Sequence, residues 1–211
     1  MFQKIFNPDN ALMITLAQIG DCIFLSMFWL LCSFPLVTLG ASTAALYDSA
    51  VRAFRKGDKH SWIRYIQVFK AHIKVGVLPS VVFFGVFCLG GWLLIQIWNA
   101  AVAGAVSFMV FSGAAFLGVF VLGVLSILFP LLSRFENSFD NLIRNTVLLG
   151  LANLPRTLAL GLLNACTILL CLWYIFPLFF LPALSALLGS LFLEPMFRPY
   201  MPKEEEKTPL E

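Results

Sequence analysis

Three long blocks almost without charge constrain this chain more than any other feature. Ala11 to Tyr47 holds a single ionisable carboxylate, Asp21, while Val75 to Ser133 and Thr157 to Leu193 contain no Asp, Glu, Lys or Arg at all. A helix needs about 20 apolar residues to cross the hydrocarbon core of a bilayer, and lipid offers the backbone no hydrogen-bond partner outside a helix or a closed barrel. The central block is long enough for two helical spans and a turn; the outer two are short for a pair and long for one. Charged residues make up 12% of the chain and apolar ones 60%, against about 25% charged in a soluble domain. An ordinary soluble enzyme, a disordered chain and a small disulfide scaffold are excluded.

Breakers near the middle of each block divide it. Ser33-Phe34-Pro35 to Gly40, Trp98-Asn99 to Gly104, and Phe176-Pro177 with Leu181-Pro182 interrupt the apolar runs. Proline removes a backbone donor and disfavours helix in the residue before it, and Gly, Asn and Ser tolerate turns. The expected fold is an all-α polytopic transmembrane bundle of six spans arranged as three helical hairpins, over about 11–34, 40–55, 76–97, 104–132, 157–176 and 178–195. Residues 1–195 form one domain, and 196–211 read as a disordered cytoplasmic tail. A five-span alternative, with Thr38 to Val51 as a half-span or surface helix and the N-terminus outside, stays open because Asp48 shortens the run after Gly40.

Positive charge tests this layout independently. Three hairpins put both tails, both connecting loops and all 14 Lys and Arg residues on one side, which is the positive-inside pattern. The loop from Asp48 to Lys74 supplies the strongest orientation signal, with seven basic residues against Asp48 and Asp58. The apolar stretch after Ala11 is too long for a signal-peptide core and lacks a small-residue cleavage site, so the first span is expected to remain in place. Two connectors read as amphipathic interfacial helices. In 61–74, Trp62, Ile66, Phe69 and Ile73 oppose Arg64, Gln67, Lys70 and Lys74; in 135–146, Phe135, Phe139, Leu142, Ile143 and Thr146 oppose Glu136, Asp140 and Arg144. Each is followed by Leu-Pro and then a glycine (Leu78-Pro79 with Gly85, Leu154-Pro155 with Gly161), a hint of an internal repeat.

The N-terminal third carries a signature: Asn7-Pro8-Asp9-Asn10, Ile19-Gly20-Asp21, and the run Phe28 to Tyr47 with its Pro35-Leu36-Val37-Thr38-Leu39-Gly40-Ala41-Ser42 centre. Together with Phe129-Pro130-Leu131-Leu132-Ser133-Arg134-Phe135 and the C-terminal Pro-rich hairpin, it resembles the YesL-like family of bacterial integral membrane proteins, whose molecular function is unknown. The resemblance implies a multi-pass protein of the bacterial cytoplasmic (inner) membrane, and the charge pattern puts both termini on the cytoplasmic side. It also implies a setting beside the components of carbohydrate ABC importers. It carries over no activity and no site.

Candidate sites must come from the residues. Asp21 falls about ten residues into the first span, near mid-depth at helical rise, where a charge costs roughly 2.5–3.5 kcal/mol on insertion scales. It could relay protons or bind a cation, and the competing account is a satisfied structural group. Thr38, Ser42 and Thr43 lie at a helix break whose free N–H groups favour anions or substrate oxygens, as in the discontinuous helices of transporters. The competing account is capping and close packing through the small pairs Gly40/Ala44 and Ala41/Ala45. Ala114/Gly118 and Ala115/Gly123 read the same way. The five cysteines lie inside apolar blocks with no Cys-x-x-Cys, and His60 and His72 lack a metal-ligand spacing, so no metal and no cofactor is expected. Walker, nucleophile-elbow and paired-carboxylate patterns are missing from the sequence; the chain is expected not to be an enzyme and not to bind nucleic acid. Two functional expectations remain. One is an accessory or regulatory partner of a carbohydrate ABC uptake system, with the lipid bilayer as its medium; the other is a small transporter or channel using Asp21 and the 38–43 break.

Overall fold

The computed structural model describes residues 11–56, 61–135 and 139–200. They form eight α-helices: α1 Ala11–Ser33, α2 Leu39–Lys56, α3 Ser61–His72, α4 Val77–Val102, α5 Phe108–Arg134, α6 Phe139–Ala152, α7 Leu154–Trp173 and α8 Leu181–Phe197. Short 3-10 turns at Leu36–Thr38, Phe176–Phe179 and Arg198–Tyr200 complete the described chain, which contains no strand. The helices fall where the charge-free blocks and their breakers put them. The α4–α5 turn is tight because Gly104 adopts φ 73°, a left-handed conformation that costs glycine little. Ser107 then caps α5 by accepting from the Met109 N–H, supplying one of the donors that a helix start leaves free.

Among the described residues, α4, α5 and α7 are long and apolar enough to cross a membrane. They expose large apolar side chains along much of their length, among them Leu89, Trp92, Ile95, Phe116, Leu169 and Leu172, as lipid-facing helices do. Helix α2 is different. Its first half is a run of small residues, and Ala41, Ser42, Ala44, Ala45, Ser49 and Ala50 are all fully buried. Its second half carries Asp48, Arg52, Arg55 and Lys56. α2 is the axis around which α1, α3, the C-terminal part of α5 and α8 pack.

The first helix pair meets the other two at different levels: α1 packs on the Phe176–Phe179 turn of the α7–α8 pair, Ser26 Oγ accepting from the Ala183 N–H, while α2 starts low on the α4–α5 pair. Gly40, at the start of α2, lies against Ser80 near the start of α4 and Phe129 near the end of α5. The α4–α5 turn is about 21 residues further along either of those helices, ~30 Å at helical rise. The α1–α2 turn therefore sits at the base of the α4–α5 pair, not beside its tip. The cause is steric: a Cβ on Gly40 would stand 2.6 Å from Ser80 Oγ and 2.8 Å from the Gly76 carbonyl oxygen. Glycine lets the α2 backbone come against the Gly76 carbonyl with the Ser80 and Phe129 side chains beside it, and the contact is fastened by the Gly40 N–H donating to Ser80 Oγ (2.7 Å).

The connectors α3 and α6 differ in how well their faces were legible. In α6, Leu142, Thr146, Leu149 and Gly150 are buried, continuing the expected stripe; Glu136 lies outside the described residues. In α3 the buried stripe is Ser61, Tyr65 and Val68, while Trp62 and Ile73 of the expected apolar face are exposed. The helix lies along α2 and α1, and its buried face is rotated rather than inverted: Ile66 and Phe69 pack beside Tyr65 and Val68 as expected, Gln67 and Lys70 stay exposed, and Trp62 and Ile73 turn outward. The Leu-Pro pairs do open α4 and α7, but the matched glycines differ. Gly85 has open space around it, whereas Gly161 abuts the Val119 carbonyl and Gly123 abuts the Thr157 carbonyl so closely that no Cβ fits at either. These two glycines set the α5–α7 crossing; Gly118, by contrast, meets only the end of the Leu94 side chain.

Candidate functional site

Two polar constellations emerge, and neither is centred on Asp21. The first is an ion cluster between α2, α3, α5 and α8. Asp48, only 2% exposed, receives Arg64 Nε at 2.7 Å and Arg52 Nε at 3.2 Å, with Arg134 Nη1 at 3.9 Å. Arg134 Nη2 also donates to Glu194 Oε1 at 2.7 Å, and the Tyr47 hydroxyl donates to the same oxygen at 3.2 Å. The Arg134 guanidinium stands over the Tyr47 ring, 5.8 Å from its centroid. Two carboxylates thus hold three guanidiniums, a set that ties the middle of α2 to the ends of α5 and α8 and to the first turns of α3. A buried carboxylate is tolerated only when paired and hydrogen-bonded, and Asp48 meets that requirement. The sequence carried a signal in the lone charges Arg134 and Glu194 just beyond the ends of charge-free blocks.

The second constellation is a half-enclosed cavity of about 550 Å³ bounded by α1, α2, α4, α5, α7 and α8. Its walls are largely aromatic and aliphatic, including Phe83, Phe87, Phe129 and Leu160, and its lining contains no Asp, Glu, Lys, Arg or His. Polar groups enter from Thr43, Tyr47, Ser126, Asn164, Thr167 and Ser185, the Tyr47 hydroxyl being the one bound to Glu194. Most of their protons are spent inside their own helices: Ser126 Oγ donates to the Leu122 carbonyl (2.6 Å), Thr167 Oγ1 to Leu163 (2.8 Å), Ser185 Oγ to Pro182 (2.9 Å) and Asn164 Nδ2 to Leu160 (2.9 Å). Sequence reading missed Ser126, Asn164, Thr167 and Ser185 because each is an isolated polar side chain in an apolar helix, and their convergence depends on how α5, α7 and α8 cross.

The residues singled out from sequence separate in space. Asp21 accepts a hydrogen bond from Ser61 Oγ at 3.0 Å, at the start of α3 beside the basic segment, and is not part of the cavity lining. Thr38 Oγ1 donates back to the Pro35 carbonyl at 2.8 Å, closing the turn. Ser42, fully buried, donates to the Trp29 carbonyl (3.1 Å), receives Ser33 Oγ (2.9 Å) and lies 2.7 Å from the Tyr65 hydroxyl. Burial pushes the Tyr65 phenol well above its ordinary pKa, and the Ser42 contact offsets this only partly, so Tyr65 stays a neutral hydrogen-bonding group. Thr43 accepts from Trp29 Nε1 at 3.0 Å and is the one of the four that lines the cavity. The break at 38–43 is thus closed by side chains of its own hairpin and of α3 and α4. Among the described residues no group of three His, Cys, Asp or Glu side chains could hold a metal ion.

The described residues, with eight α-helices, no strand, three helices long and apolar enough to cross a membrane and a cavity without charged side chains, fit a helical membrane protein. Residues 22–95, from α1 into the second half of α4, match the family described as "Protein of unknown function, DUF624". No curated protein and no solved structure matches the chain.

Proposed function

We propose that this is a YesL-like multi-pass protein of the bacterial cytoplasmic membrane that works as a non-energised accessory partner of a carbohydrate ABC uptake system. In this reading α4, α5 and α7 cross the bilayer, α8 returns the chain, and the α1–α2 pair enters from the cytoplasmic side and turns back. The pair's shallow turn, fastened to the base of α4 by Gly40 and Ser80, supports that assignment. The Asp21–Ser61 bond ties the middle of α1 to the start of α3 in the basic segment, which supports a shallow course for the pair. The Arg134–Glu194 pair supports a common side for the ends of α5 and α8, and the positive-inside rule makes that side cytoplasmic. The importer as partner rests on the family resemblance.

The observation that carries the accessory reading is the separation of charge from cavity. A carrier driven by ions or protons needs an ionisable or ion-coordinating group in its pathway. Here Asp48, Glu194 and the arginines are bound to one another, while the cavity holds only neutral side chains. The transport reading through Asp21 and the 38–43 break has one supporting observation, the presence of Thr43 in the lining. Two experiments test the proposal. Tagged protein isolated from native membranes should bring down importer components, and deletion should lower sugar uptake; absence of both effects refutes the partnership. For topology, an impermeant maleimide added from outside should label Gly104→Cys and Ile175→Cys but not Leu36→Cys. Equal labelling of Leu36→Cys would show that the first pair spans completely.

A further inference from the structure

We infer that the cavity between α2, α5, α7 and α8 is a binding site for a neutral, hydroxyl-bearing lipid of the diacylglycerol type. Three observations select this ligand. First, the most exposed residues of the lining are Leu36, Phe84, Phe87 and Leu172. A mouth rimmed by apolar side chains opens toward hydrocarbon, so the occupant arrives from the bilayer. A volume of about 550 Å³ is in the range of small-molecule sites, roughly 300–1,000 Å³ with mostly apolar walls and a few placed polar groups.

Second, the lining has no charged side chain to neutralise a phosphate or an ammonium. Burying an uncompensated charge in such a wall is prohibitive, so charged headgroups are excluded. Third, the polar atoms have a defined hydrogen-bonding character. The hydroxyl protons of Ser126, Thr167 and Ser185 are committed to carbonyls of their own helices, which leaves their oxygens as acceptors. Asn164 commits one amide N–H to Leu160 and keeps its carbonyl oxygen and second N–H, one helical turn from Thr167 on the same face. An alcohol both donates and accepts and so satisfies this set. A pure hydrocarbon leaves it unmet, which in lipid carries the cost of an unpaired polar group.

The test uses the full-length protein in lipid nanodiscs and a diacylglycerol bearing a photoreactive diazirine on one acyl chain. Labelling is expected on α5, α7 and α8 peptides that line the cavity. Unlabelled diacylglycerol should compete, whereas phosphatidate of the same chains and triacylglycerol should not. Asn164→Leu, which removes the unspent amide groups at similar volume, is expected to reduce labelling about three- to tenfold, the loss of one or two hydrogen bonds. Ala186→Trp should abolish it by filling the cavity, and its elution as a monodisperse species separates blocking from misfolding. Equal competition by phosphatidate overturns the exclusion of charge. Equal competition by triacylglycerol overturns the hydroxyl requirement. Labelling spread along the outer faces of α4 and α7 refutes the site, and the unsubstituted protein alone reveals each of these outcomes.

Discussion

Replacing Asp48 by Asn tests the central packing argument most directly. The substitution keeps the shape and one acceptor oxygen but removes the negative charge that Arg64, Arg52 and Arg134 approach at 2.7, 3.2 and 3.9 Å. A hydrogen bond to a charged group contributes about 1.5–3 kcal/mol, and stripping one member from a buried pair costs about 3–5 kcal/mol. The side chains of Arg52 and Arg64 are 35% and 34% exposed, so solvent relieves part of their loss. Arg134 retains Glu194. The net expectation is about 2–3 kcal/mol, which for a chain of this size corresponds to a midpoint about 5–10 °C lower. Thermal unfolding of detergent-solubilised protein, followed by the fraction that still elutes as a monodisperse peak, measures it. Asp21→Asn is the internal comparison: Asp21 holds one hydroxyl donor on a half-buried surface, and an Asn carbonyl can accept the same bond, so the change should stay within about 1 kcal/mol. If Asp21→Asn proves the more damaging, or Asp48→Asn shifts the midpoint by less than about 2 °C, the reasoning fails. A cycle with Arg64→Gln sharpens the test, because residues in one ion cluster should be strongly non-additive.

Other expectations follow from backbone proximity. Gly123→Val and Gly161→Val should prevent assembly or lower the yield of folded protein severely, since each new Cβ meets a carbonyl of the facing helix; Gly85→Val and Gly90→Val, with nothing within 4 Å, should behave like the parent in the same expression and elution assay. Ser80→Ala leaves the buried Gly40 N–H without its acceptor and should cost about 1–3 kcal/mol, read as a lower unfolding midpoint, whereas Ser112→Ala on an exposed stretch should change nothing measurable.

The helices were legible from the order of residues alone. Charge-free runs too long for one span, broken by Pro, Gly and Asn, placed α1, α2, α4, α5, α7 and α8 close to their observed limits, because in an apolar setting each backbone must bond to itself and the pattern is local. The α6 stripe through Leu142 and Thr146 was equally legible, while that of α3 was legible in part: Ile66 and Phe69 pack inward, but Trp62 and Ile73 turn outward and Tyr65 turns in. Tertiary structure alone decided which isolated polar residues meet. Asp48, Arg134 and Glu194 are far apart in sequence and join only because α2, α5 and α8 cross at one place. Ser126, Asn164, Thr167 and Ser185 share a cavity for the same reason. The shallow level of the first turn was likewise invisible, since it depends on Gly40 meeting Ser80 and Phe129. Hydropathy states that a segment is buried in something apolar; the depth at which two helices touch is set by close contacts between small residues, and those are pairwise and non-local.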